Sequence, residues 1–401
     1  MDSIRRIVFS LAGAFLMVIP ACAQKKQISE ARDMIKSGSD VVKAEQLMTD
    51  LMKQDTAMRH HPKVLQTWFD AVEAQYQQAN EKLYLKEAYD TVAFYNIIKR
   101  LFDIAYALDS VEAKPDAKGR VKPEYRKKHA QQLGQLRPNL YYGGTFHYRK
   151  GEYTTAFDYF DHYLGAYRQP LFTGGSDASA DSQVPQAAYW ATSCGYRLKD
   201  AERTLRYHEQ ALRDGKKAQF TLQYMCDAYQ MQHNDSDYVA TLREGFRRFP
   251  ENRYFFPHLA DYYNGKGLNE EVLAAANQGL QANEKNTIFL LAKSLALLNL
   301  ERYDDCIAVS QQMIAVCDTL PEPYLNISTC YLNRALELEQ FNEPRKYRTQ
   351  LQKLYSDARP FMERYRELQP NDRQRWAPAL YRIYLNLNMG KQFDEIDQLM
   401  R

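Results

Sequence analysis

Two dipeptides of one kind, Tyr148-Arg149 and Tyr196-Arg197, stand out among the residues of this 401-residue chain whose types could do chemistry. A tyrosine beside an arginine pairs a rigid amphipathic ring with a guanidinium that grips carboxylates through two hydrogen bonds. That is the chemistry of recognition rather than of bond making. The histidines offer less. His60 and His61 follow Arg59, but adjacent side chains point apart on a helix, and no carboxylate or third histidine sits at ligand spacing. The pair reads as a solvated inter-helix loop, and no metal is expected. His147 and His208 fall on or beside positions of helix packing. Glu270-Glu271 and Asp304-Asp305 open amphipathic segments, where acids complement the positive end of the helix dipole. No GxSxG elbow, HExxH helix or phosphate-cradling glycine loop occurs, so neither a catalytic residue nor a cofactor is expected, and the chain does not read as an enzyme.

Cysteine usage is equally plain. Beyond Cys22 there are Cys194, Cys226, Cys306, Cys317 and Cys330, with no CxxC or cysteine–histidine spacing. An odd set cannot pair completely within one chain. Cys226 and Cys306 occupy positions that take small buried residues, so they read as apolar filler, and a bridge such as Cys306 to Cys330 is left open. A net charge of +3 across this length gives no electrostatic case for nucleic acid.

These residues must be positioned by helices. Gly (17) and Pro (15) are sparse, while 45% of residues are hydrophobic and 30 are Tyr, which favours long helical runs with short turns. Between residues 220 and 280 one pattern occurs twice. Leu222, Met225, Cys226 and Tyr229, then Tyr238, Leu242 and Gly245, reappear at one constant offset as Phe256, Leu259, Ala260 and Tyr263, then Val272, Ala276 and Gly279. Ala211, Gly245, Gly279 and Met313 keep the same step. Two short amphipathic helices per repeat of about 34 residues is a solenoid pattern.

The phase resembles the tetratricopeptide repeat family, in an exported bacterial member, with Gly267, Tyr303 and Pro250 at the family's turn and closing positions. Leu295 to Leu300 lacks the usual glycine turn. The resemblance implies an all-α fold, a right-handed α-solenoid of stacked antiparallel helix pairs (a TPR-like superhelix). It covers 138–401, with polar inserts near 171–184 and 337–355, and more loosely the expanded repeats of 24–137. It further implies that first helices line a concave face that takes extended peptides or helices. Carried over by position, the groove comprises Tyr141, Thr145, Tyr148 and Arg149, then Tyr189, Ser193, Tyr196 and Arg197, then Gln223, Asp227 and Gln230, with Tyr254 and Asp261 in the next repeat. The Lys/Asn clamp that some members close on a terminal carboxylate is not found at these positions.

Residues 1–23 read as a signal peptide. Arg5 and Arg6 precede an apolar run over 7–19 that is too short to span a bilayer. Two ends stay open: cleavage after Ala23, or lipidation of Cys22, since 19–22 resembles a lipoprotein box. The expected function is an exported protein of a Gram-negative-type envelope or periplasm that binds a protein or peptide partner, as an adaptor or scaffold. The alternative is a self-associating structural component, for which the uncapped last repeat would supply an apolar edge; carbohydrate binding or catalysis has only the tyrosine content behind it. A membrane is involved only through an anchor at Cys22.

Overall fold

The computed structural model describes residues 19–115, 118–172, 181–341 and 344–401. Residues 1–18 of the expected leader and 173–180 of the first expected insert lie outside the described residues, and the side chain of Cys22 does too. Every regular element among the described residues is a helix. None of these helices is long and apolar enough to cross a membrane. The chain divides into two compact units, Met1–His233 and Asn234–Arg401.

The first unit contains α1 (Ile19–Ser37), α2 (Val41–Gln54), α3 (Pro62–Tyr84), α4 (Thr91–Glu112), α5 (Arg126–Arg149), α6 (Tyr153–Gly165), α7 (Val184–Leu198), the short α8 (Ala201–Leu205) and α9 (His208–Ala211), and α10 (Ala218–Met231). Each helix packs on the next in sequence except the short α8 and α9, which pack on α7 and α10 instead, and α1 on α3, α5 on α7 and α7 on α10 make the further contacts that stack one pair on another. The close spacing has a cause at Gly144, where an added Cβ would lie 2.6 Å from the Phe160 ring. Polar anchors sit between the helices. Arg126 grips Asp109 through two bonds of 2.6 and 3.0 Å, and Glu45 accepts from Trp68, Gln75 and Arg100.

The structure corrects two expectations in this unit. A boundary between 137 and 138 falls inside α5, which continues through Pro138. Proline removes one helical hydrogen bond, but buried Leu133, Leu136 and Leu140 hold the helix on both sides of it. The second helix of this repeat, which the phase of Ala211 with Gly245 and Gly279 leads one to expect as a single element, is instead split into α8 and α9.

The second unit contains α11 (Asp235–Arg248), α12 (Phe255–Gly265), α13 (Asn269–Ala282), α14 (Thr287–Asn299), α15 (Tyr303–Val316), α16 (Glu322–Gln340), α17 (Pro344–Leu368), α18 (Arg373–Asn386) and α19 (Gly390–Met400). The second helices start at Asp235, Asn269 and Tyr303 and end at Arg248, Ala282 and Val316, so both boundaries advance by the constant step of the sequence pattern. This is an α-solenoid stack of helix pairs. At Gly279 an added Cβ would lie 2.7 Å from the Phe289 ring, and Gly245 stands in the same relation to Phe255.

The extra helical segment expected over 337–355 is not a separate element. The added residues lengthen α16 and α17 to 19 and 25 residues. Tyr355 ties this longer hairpin together by donating to Glu339 at 2.6 Å. The last pair exposes Leu385, Leu399 and Met400, while α19 otherwise presents mainly polar side chains and buries Ile396. The expected apolar edge is therefore narrow.

Candidate functional site

The Tyr-Arg dipeptides close α5 and α7, two neighbouring first helices of the first unit. They interlock rather than act separately. The Tyr148 hydroxyl lies 2.9 Å from Ser193 Oγ, and Arg197 hydrogen-bonds to the same Tyr148. That bond is the main reason the Arg197 guanidinium is held above its ordinary pKa. Tyr148 also packs against Trp190 at 4.8 Å and Tyr153 at 5.3 Å between ring centroids. Arg149 is exposed, and Thr145 turns back to donate to the Tyr142 carbonyl at 2.9 Å.

Burial removes three expected groove residues from the surface. Tyr141 and Tyr189 are 8% and 6% exposed, and Ser193 is 1% exposed. Tyr141 fills the core against Phe160 and Tyr163. Burial raises the Tyr189 hydroxyl's pKa, and its ring stacks toward Tyr224 at 6.3 Å. These rings fill the space between neighbouring helices and bury large apolar area there.

The remaining residues converge one step further along. Tyr196, Arg197, Asp227 and Gln230 line one open cleft of about 610 Å³ between α7 and α10, together with Lys199 and Met231. Tyr196 is set by a stack on Tyr224, with ring centroids 4.3 Å apart and planes 22° apart. Lys199 caps α7 in the left-handed conformation, with φ of 55°, which turns the chain at the cleft's rim. Gln223 is half-buried on the same helix as Asp227. The cleft offers two cations, one carboxylate, an amide, an aromatic face and a thioether, which suits a peptide segment of mixed charge better than a single small reactant.

Sequence reasoning missed Tyr224, Trp190, Lys199 and Met231. Tyr224 follows Gln223 on the first helix and was readable only as one tyrosine among many. Lys199 lies in phase with Gly267, and that phase was its one signal. The other histidines do not join the site. His147 is buried beside Glu152 at 2.5 Å, His208 approaches the Leu205 carbonyl, and His61 caps α3 next to exposed His60. Among the described residues no group of three or more His, Cys, Asp or Glu is arranged to hold a metal ion. Glu270, Glu271, Asp304 and Asp305 lie in the first turns of α13 and α15.

No family model matches the chain, and no curated protein matches it. Among solved structures it is similar to YrrB, described as a TPR protein with an unusual peptide-binding site, at 12% identity over 48% of this chain and 90% of that one, with a TM-score of 0.35. It is also similar to the C-terminal part of a TPR repeat-containing protein from Cytophaga hutchinsonii, at 12% identity over 63% and 91%, with a TM-score of 0.41. A third is the TPR2AB domain of yeast Sti1, at 14% identity over 82% and 96%, with a TM-score of 0.26. At such scores the likeness carries no argument, and the fold rests on the helix boundaries and packing described above.

Proposed function

We propose that the chain is an exported helical-repeat scaffold that binds an extended protein or peptide segment in the cleft between α7 and α10. The observation that carries this reading is the convergence of Tyr196, Arg197, Asp227 and Gln230 on one opening, with Lys199 and Met231 completing it. Arg197 and Lys199 receive acidic side chains of the partner, Asp227 faces a basic one, and Tyr196 and Met231 supply adaptable apolar contact. Export to a bacterial envelope rests on Arg5, Arg6 and the apolar run of 7–19.

Peptides selected by display against the immobilised full chain test the cleft. A photo-crosslinking residue in place of Met231 is expected to label a selected peptide, and the same residue in place of Leu399 is not. Labelling at Leu399 alone would move the binding surface to the second unit. Mass spectrometry of the mature N-terminus tests the leader. A lipid-modified Cys22 or a free Gln24 supports export, whereas an intact N-terminus contradicts it.

A further inference from the structure

The second unit holds a polar cluster in its core that the repeat does not require. Ser294 of α14, Ser310 and Cys306 of α15, and Cys330 of α16 are all 0% exposed. Ser294 and Ser310 place their hydroxyls 2.7 Å apart, Asn326 donates to Ser294 at 2.9 Å, and Cys306 Sγ lies 3.5 Å from Ser294 Oγ. Asn326 and Cys330 lie one turn apart on α16, and each of Cys306 and Cys330 is the leading influence on the other's thiol, so the two sulfurs are neighbours in this core. One period earlier the matching positions are Ala260, Val272, Ala276 and Ala296, all buried and apolar. The fold therefore closes with apolar residues here, and in this repeat two cysteines and two serines replace them. A filler sulfur needs no such company, because buried polar groups cost free energy unless partnered.

We propose that Cys306 and Cys330 are a dithiol–disulfide pair that a disulfide donor oxidises as this repeat folds, joining α15 to α16 covalently. The pair is sealed in the folded chain, so exchange takes place while the two helices are still apart. The thiolate of one cysteine attacks a donor sulfur, forms a mixed disulfide and releases one donor thiol. The second cysteine then loses its proton and attacks the sulfur of the first. The internal disulfide forms and the second donor thiol leaves, so two electrons and two protons pass to the donor. Hydrogen bonds from Cys330, Ser294 and Ser310 favour the Cys306 thiolate against its burial, at a pKa of about 7, while the same contact and burial raise Cys330.

The test refolds the full wild-type chain from reducing denaturant into oxidised and reduced glutathione, blocks free thiols by alkylation at acid quench, and digests without reductant. The expected product joins the peptides carrying Cys306 and Cys330, lighter than their sum by two hydrogens. Reductant is expected to lower the unfolding midpoint of the oxidised chain by about 5 °C and to leave that of Cys330→Ala unchanged. Separate alkylation of Cys306 and Cys330, or joining of either to another cysteine, would overturn the proposal.

Discussion

At the scale of single residues, this chain spends its polar groups on holding helices together, and Asp181 shows how. Burial alone would raise its carboxyl, but hydrogen bonds from Tyr163, the Gln183 backbone, Arg137 and Tyr167 outweigh that and hold it down at about 2. Arg137 meanwhile lies over the Tyr163 and Tyr167 rings at 4.1 and 3.9 Å. The cluster fastens the chain that enters α7 onto α5 and α6. A depressed carboxylate contributes stability that is complete above its unfolded value of 3.8 and fades as pH falls toward 2. Asp181→Asn is expected to destabilise the first unit by about 1–3 kcal/mol at neutral pH and to flatten the acid limb of its stability between those values. Denaturant titrations at several pH values check both effects; an unchanged limb in the variant would place the acid sensitivity elsewhere.

At the scale of elements, the repeat is a demand on the backbone that side chains meet unevenly. Lys199, His233, Gly267 and Glu301 lie one repeat apart in turn, and all four adopt positive φ, of 55°, 54°, 70° and 59°. Only one is glycine, the residue that takes this region without steric cost. Glu301→Gly is therefore expected to raise stability by about 0.5–1 kcal/mol. The cap positions that follow show the same unevenness. Asp200 and Asn234 accept from the backbone N–H three residues on, whereas Leu268 makes no side-chain cap despite a similar backbone. Leu268→Asn is expected to add about 1 kcal/mol. Thermal unfolding of the two variants measures this, and a loss of stability in both would contradict the account of the turn.

This unevenness also explains what the sequence made legible. The step between Gly245 and Gly279 was readable because each abuts a phenylalanine ring that leaves no room for a Cβ. The turn at Glu301 was harder to read, since the tertiary packing of α14 and α15 imposes a conformation that its side chain does not advertise. Pro138 misled in the opposite direction: a residue that usually ends helices sits inside one that buried leucines sustain. Around the candidate site, position identified first-helix residues but not their depth. Burial of Tyr141, Tyr189 and Ser193 depends on how closely neighbouring helices approach, and a single-helix pattern carries no such distance.

At the scale of the whole molecule, the chain is two stacks of helix pairs, and the cleft belongs wholly to the first. The second unit has its own larger opening of about 910 Å³, lined by Glu363, Arg366, Glu367, Trp376 and Glu395 among others. There Arg366 lies 4.8 Å over the Trp376 ring and pairs with Glu395 at 2.6 Å. The first cleft is favoured because it gathers the recognition residues of two adjacent first helices. The most direct test is the affinity of one display-selected peptide for the wild type, for Asp227→Lys and for Glu395→Lys. A loss of about tenfold or more, roughly 1.4 kcal/mol, is predicted in Asp227→Lys and none in Glu395→Lys. Equal binding by all three chains, or a loss confined to Glu395→Lys, would contradict the assignment of the cleft.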